Sequence, residues 1–318
     1  GGTSSSPPPP PPPPPHVATA TLASNGRSQP QTLTGVCDQP AFSSRSSVIV
    51  NNRQVACSVL LDVPSSCARS STSSSTDPSC PIVFFFHGSG GNSMNHFWRT
   101  RDIIHTTGSS QQPLIGIFPQ GAGNVWNTAG QSNVDDMAFI LAIVTRLRVM
   151  GATGRLYAFG SSNGAALAQR IGTNGGMGFT GIIPSATQLS SSPERSGPSP
   201  HDYNYPTVGS STRAIAVLML HGSADTTIPV GGGRLFFTST YLSSTVESIQ
   251  LWAHVGGCTG LPTVSSMSAT YGGGASTTTT TTATLTAFNC PYTTPVEYVE
   301  TRCAGHGGAA SINGIDTM

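Results

Sequence analysis

The chain has 318 residues, enough for one sizeable domain or two small ones, and only 8% are charged, for a formal net charge of +1. All 14 basic residues are Arg, and they come no denser than Arg99 with Arg101 or Arg146 with Arg148, so no basic patch exists to hold a nucleic acid. No run of eighteen apolar residues occurs, so no membrane-spanning helix is expected.

The first fifteen residues add nothing to a core. Pro7 to Pro15 is an unbroken proline run, which forms an extended polyproline II spacer of about 3.1 Å per residue. A spacer separates things, and a module preceding it is one reading. Residues 1–30 are therefore expected to be a tail or linker, and residues 31–318 the folded domain, starting near Gln31. The hydrophobic fraction is 36%, low for a globular chain, with Ser, Thr, 37 Gly and 25 Pro filling the deficit. Compact apolar runs at Pro81–Phe86, Leu114–Phe118, Asp136–Val144 and Ile215–Leu220 still suffice for a core.

A hairpin is expected first, with Val48–Val50 as one strand, Asn51-Asn52 as the turn and Val55–Val63 as the other. After a Ser/Thr-rich loop, Pro81–Phe86 is apolar without alternation, as in a strand covered on both faces. Leu114–Phe118 repeats the pattern. Val134–Val149 has apolar residues at helical spacing, with Asp135 and Asp136 in the first turn where the helix dipole favours them. Arg155–Phe159 is a third buried strand and Asn163–Ile171 a helix. Thr180–Pro184 and Ala214–Leu220 follow as strands, then a helix from about Gly233 to Leu242, and strands at Leu251–Ala253 and Val296–Glu300. The Thr277–Thr282 run suits an edge strand or a surface loop. Alternating strands and helices with glycine-rich turns predict an α/β fold, a doubly wound, mostly parallel sheet in a three-layer sandwich, with functional loops at the carboxyl ends of its strands.

Seven cysteines, Cys37, Cys57, Cys67, Cys80, Cys258, Cys290 and Cys303, include no Cys-x-x-Cys pair and none at ligand spacing from a His. Disulfides in an exported protein explain them better than zinc, and the odd number leaves one thiol over.

Gly160-Ser161-Ser162-Asn163-Gly164 fits G-x-S-x-G. The pattern is weak in a chain so rich in Gly and Ser. It gains weight because a buried strand precedes it and a helix follows, the setting of a sharp turn that presents a nucleophilic Ser162. A serine nucleophile needs a base and the base an orienting acid, in chain order Ser, acid, His. Asp225 lies just past a buried strand, unlike Asp202 and Glu247, and is the candidate acid. His306, in Cys303-Ala304-Gly305-His306-Gly307-Gly308, is the candidate base, with His254 its competitor; His221 and His87 read as loop holders. Two backbone amides, of Asn163 and of Ser89 in His87-Gly88-Ser89-Gly90-Gly91, are the expected donors to an oxyanion. Trp126 lies beyond a strand end, either exposed for stacking on a ligand ring or packed inward as an anchor.

At these residues the sequence resembles the secreted polyhydroxybutyrate depolymerase and feruloyl esterase group of α/β-hydrolases. The matching pieces are Phe85–Gly91, Phe118–Gly121 with Trp126-Asn127, Asn133–Phe139, Arg155–Ala165, His221–Asp225 and Gly305-His306. The resemblance implies a triad carried by Ser162, Asp225 and His306, secretion, disulfides and no cofactor. It also implies a polymer-linked feruloyl, acetyl or hydroxyalkanoate ester as substrate. Depolymerases of the group often carry Trp-Pro after the histidine, where this chain has Gly307-Gly308, and the cysteines at Cys37 and Cys57 to Cys80 look like the feruloyl branch. The expectation is therefore a monomeric, extracellular feruloyl esterase, with no metal, nucleic-acid or membrane partner, and with a polyhydroxyalkanoate depolymerase or an acetyl xylan esterase as alternatives. A non-catalytic cell-wall binding module is the distant one.

Overall fold

The computed structural model describes residues 22–24, 29–37, 48–50, 53–55, 57–68, 80–105, 113–129, 134–192, 205–235, 240–272, 278–291, 293–306, 311–312 and 315–316. The proline run, the Asn51-Asn52 turn and Asp202 lie outside them.

The strands in chain order are β1 (Gln31–Thr32), β2 (Val48–Val50), β3 (Arg53–Val55), β4 (Val59–Asp62), β5 (Ile82–Phe86), β6 (Ile115–Pro119), β7 (Leu156–Ser161), β8 (Phe179–Ser185) and β9 (Ser190–Ser192). They continue as β10 (Ala216–Gly222), β11 (Gly233–Arg234), β12 (Tyr241–Leu242), β13 (Thr263–Gly272), β14 (Thr278–Ala287), β15 (Val296–Thr301), β16 (Ser311–Ile312) and β17 (Ile315–Asp316). The helices are α1 (Ser93–His105), α2 (Asp136–Val149), α3 (Asn163–Thr173) and α4 (Thr245–Val255).

One sheet dominates, in the order β1-β4-β6-β5-β7-β8-β10-β15-β14-β13-β16-β17. Its middle, β6 to β15, is parallel, and antiparallel strands close both flanks. The parallel strands read as unbroken apolar runs because both their faces are covered. Ile82, Phe84 and Phe86 of β5 share a core with α2, α3 and α4 through Phe139, Ile140, Leu167, Ile171, Ile249 and Trp252. Val83 and Phe85 point the other way, into a smaller core with Phe97 and Ile104 of α1. That is the predicted three-layer arrangement. The chain goes from β5 to β6 on one side and then to β7 on the other, so the order reverses between β5 and β7, where a crevice opens at the strand ends.

Several expectations need correction. Val55–Val63 is not one strand: Val55 belongs to β3 of a two-stranded hairpin, and β4 starts at Val59 in the main sheet. The described residues of Gly233–Leu242 form two short strands, β11 and β12, and no helix; Gly233 and the preceding Gly232 hold positive φ, which opposes helix. Leu251–Ala253 belongs to α4, which starts at a Ser244–Glu247 capping box. The Thr run forms strand from Thr278 and not a loop: Thr278–Thr282 pair with β13 alone, as in an edge strand, and β15 takes up the other side only from Ala283. Folded chain also begins before Gln31: Leu22 is buried in the larger core, and Gln31 donates to the Ala23 carbonyl. Helix α1 was not foreseen, because its segment is polar apart from a few apolar residues.

Disulfides join Cys37 to Cys57, Cys67 to Cys80 and Cys258 to Cys290, which leaves Cys303 as an exposed free thiol. Among the described residues no helix is long and apolar enough to cross a membrane.

Candidate active site

Ser162 stands between β7 and α3 with φ 53° and ψ −117°, a strained conformation for a residue with a side chain. The strand and the helix approach so closely at this turn that only glycine fits beside it. A Cβ on Gly160 would strike the Gly164 carbonyl, and one on Gly164 would strike the Phe86 carbonyl. The Ser162 amide donates to the Ser185 carbonyl at 2.9 Å and fixes the turn to the end of β8.

Asp225 lies three residues past β10 in a hairpin-like turn. Its Oδ1 accepts from the Thr227 and Ile228 amides, each at 2.9 Å. Its Oδ2 is 2.7 Å from His306 Nδ1 and 3.2 Å from His221 Nε2. Burial opposes the charge on Asp225, but hydrogen bonds from His221, His306 and the Ile228 amide outweigh it and hold the carboxyl well below the usual carboxylate range. His221 is wholly buried, and its Nε2 also sits 2.8 Å from the Ile228 carbonyl. It therefore braces the turn, as expected of a loop holder. His306 follows β15 and is partly exposed at the opening. His254 is exposed on α4, with no place in this cluster.

His306 and Asp225 are thus joined. The Ser162 hydroxyl has no hydrogen bond among the described residues. Ser161, Ser185, His306, His87 and Gly88 line one cleft of about 260 Å³, and a Cβ on Gly88 would lie 3.4 Å from the Ser162 Cβ. In the loop after β5, the Gly90 and Gly91 amides are spent on the Asn124 and Gly88 carbonyls, whereas the Ser89 amide donates to no described residue. The Asn163 amide, first in α3, is likewise uncommitted, and the helix dipole adds partial positive charge there.

The loop is held by a network that only the structure reveals. His87 Nε2 accepts from the Gly121 amide at 3.0 Å, so that nitrogen is unprotonated, and Nδ1 donates to the Gly88 carbonyl at 2.8 Å. Gln120 Oε1 accepts from the Ser93 amide at the start of α1. Asn163 clamps the main chain of Trp126 both ways: Oδ1 accepts from its amide at 2.6 Å and Nδ2 donates to its carbonyl at 3.1 Å.

Trp126 corrects an expectation. It is fully buried, edge-on to Phe86, and its Nε1 donates to the His87 carbonyl at 2.8 Å. The ring anchors the loop from behind and offers no face to a ligand, because its large apolar area is worth more in the core than in water. Its neighbour Asn127 is fixed by Asp136, which accepts the Asn127 amide at 2.6 Å.

Sequence reasoning misses His96 and Arg99 at the site. Both line the cleft from the first turns of α1.

No family model matches the chain, and no curated protein matches it in sequence. Among solved structures, the acetyl xylan esterase from Aspergillus awamori overlaps 90% of this chain and 96% of its own, with TM-score 0.54 at 16% identity. The chain has the α/β-hydrolase fold. A thermostable esterase (16% identity, 65% of this chain and 50% of that one, TM-score 0.39) and a Bacillus cereus carboxylesterase (15%, 56% and 74%, 0.35) overlap in part. The α/β-hydrolase fold accounts for the crowded glycines, since the strand–turn–helix at Ser162 is where it presents a side chain to the crevice.

Proposed function

We propose that the protein is a serine carboxylic ester hydrolase acting by a two-step acyl-enzyme route. Ser162 attacks the ester carbonyl while His306 takes its proton, and the tetrahedral oxyanion faces the Ser89 and Asn163 amides. The C–O bond to the alcohol breaks, and His306 returns the proton to the leaving oxygen. Water, activated by the same histidine, then releases the acid from Ser162. Asp225 holds the His306 Nδ1 proton and balances the imidazolium charge. The single observation that carries this reading is the 2.7 Å pair of His306 with buried Asp225, on the same rim as the strained turn of Ser162. In unliganded enzymes the serine–histidine contact often tightens only on substrate binding.

The substrate we propose is an acyl ester on a plant cell-wall polysaccharide. Acetyl is preferred to feruloyl, because Trp126, the aromatic that could have stacked on a feruloyl ring, is buried. The described walls of the cleft carry Asn, Arg, His and Ser groups with one aromatic carbocycle, Phe159. The overlap along nearly its whole length with an acetyl xylan esterase agrees with that choice. Three disulfides fit an extracellular enzyme, since such bonds persist in oxidising surroundings.

A serine-reactive phosphonate should label Ser162, and mapping the modified residue tests the assignment. Ser162→Ala should lower kcat on 4-nitrophenyl acetate by at least about 10⁴-fold. Full activity in that variant would end the reading. Rates on an acetylated xylan fragment, methyl ferulate, a hydroxybutyrate oligomer and a small amide rank the substrate classes.

A further inference from the structure

His96 is a polar group that the proposed chemistry leaves unused. It sits in the first turns of α1, 8% exposed, and lines the same cleft as Ser161, Ser185 and His306. Its Nδ1 is buried without a hydrogen-bond partner among the described residues. Three rings, Phe85, Phe118 and Phe159, surround it at centroid distances of 6.1, 6.5 and 6.0 Å. Burial, with the positive charge of Arg99, pushes its pKa down to about 3, so the ring is neutral near pH 7. A protein interior rarely tolerates an orphaned polar atom, and a ring that carries one in the wall of a cleft is a natural contact for a polar ligand.

A neutral imidazole has one N–H donor and one bare nitrogen acceptor. An ether or ester oxygen answers the donor alone, and a hydrocarbon answers neither. A hydroxyl can do both. Arg99, one turn further along α1, adds donors, and Asn95 adds a donor and an acceptor on the same side of the cleft. Donors and acceptors interleaved in this way suit the adjacent hydroxyls of a sugar ring.

We propose that His96, with Asn95 and Arg99, forms a subsite for a sugar ring with free neighbouring hydroxyls, the alcohol part of the ester. This rests on the ester-hydrolase reading and deepens it. The subsite would set specificity at the leaving group, and its residues bind substrate without taking part in bond making. It separates carbohydrate esters from polyesters and simple alkyl esters, which leave His96 unsatisfied.

The test compares a monoacetate of methyl β-D-xylopyranoside with 4-nitrophenyl acetate. Both deliver the same acyl group, and only the first has hydroxyls. In His96→Phe the ratio of kcat/KM for the sugar acetate to that for 4-nitrophenyl acetate should fall about ten- to a hundredfold, mostly through KM. His96→Asn, which keeps a donor and an acceptor, should recover part of that ratio. An unchanged ratio in His96→Phe overturns the subsite, whether both rates fall together or neither moves. Binding separates this result from failure of the hydrolase reading. Methyl β-D-xylopyranoside titrated into Ser162→Ala by NMR should shift α1 resonances, and adding His96→Phe should weaken binding about tenfold or more. That readout needs no turnover, so a chain that hydrolyses neither ester would lose the hydrolase reading while the sugar titration still decided the subsite. No shift, or equal affinity in the two proteins, overturns it.

Discussion

The parallel strands β5, β7, β8 and β10 and the antiparallel pair β13 and β14 lie in one sheet but are built from opposite compositions. The first group is mostly apolar, packs side chains into cores on both faces, and ends in turns that carry Ser162, Asp225 and the loop at His87. The pair is Thr- and Ser-rich and buries one face. Met267 and Ala269 meet Ala283 and Thr281 across the register on the inner side, while Ser266 and Ser268 oppose Thr284 and Thr282 on the outer side, exposed. Backbone crowding governs the first region, and the number of covered faces governs the second. The same substitution should therefore have very different effects in the two places.

The largest effect is expected where the parallel strands end. Asp225→Asn should leave the fold largely in place and lower kcat about 10⁴-fold, because His306 loses the acceptor that fixes its tautomer. The folded pKa of Asp225 lies below its unfolded value. The unfolded chain thus takes up this proton first as pH falls. The carboxylate gives its full stability above about pH 4, and the contribution is lost below that as pH approaches the folded value. Asp225→Asn should therefore flatten the acid limb of a urea-midpoint profile below about pH 4. A mutant with wild-type kcat, or with an unaltered acid limb, would separate Asp225 from the role given to it here.

Next comes crowding itself. Gly164→Ala sets a methyl group against the Phe86 carbonyl, which belongs to a strand held on both sides and cannot yield. A loss of about 4 kcal/mol or more is expected in denaturant unfolding. Gly209→Ala, in open space, is the control and should change stability by less than about 1 kcal/mol. Equal effects at the two glycines would mean that the turn at Ser162 is looser than its geometry implies.

The two regions also differ in how far the sequence discloses them. Runs such as Ile82–Phe86 and Leu156–Phe159 are legible because a strand covered on both faces has no polar alternative, and the order Ser162, Asp225, His306 follows from which strand ends precede them. Trp126 was ambiguous because a loop tryptophan reads alike whether it faces solvent or, as here, the Phe86 ring. Helix α1 escaped notice because it buries Phe97 and Ile104 against a small core while Met94 and Trp98 lie exposed among polar residues, which blurs the helical spacing. His96 escaped with it, since a histidine becomes informative only when its orphaned Nδ1 and the cleft are seen together. Strand β13 was hidden, and the Thr run of β14 stayed open between edge strand and loop, because Thr and Ser suit loops as well as a half-exposed sheet, and the pairing that decides between them is the one β13 and β14 make with each other.

The smallest effect belongs to the outer face of that pair, and it tests the contrast from the other side. Thr284→Ala removes a hydroxyl and a methyl from an exposed position opposite Ser266, where water replaces what is lost. Stability should change by no more than about 0.5 kcal/mol, the usual range for surface positions free of special contacts. One residue earlier the chain faces the other way. Ala283 is fully buried beside Leu285 and Val299 in the smaller core, and Ala283→Thr forces a hydroxyl and a methyl into packed space, for a loss of about 1–3 kcal/mol. Unfolding midpoints of the two variants measure how one-sided this region is. If Ala283→Thr proved as mild as Thr284→Ala, the inner face would not be packed, and β13 and β14 would hang from β15 by backbone hydrogen bonds alone.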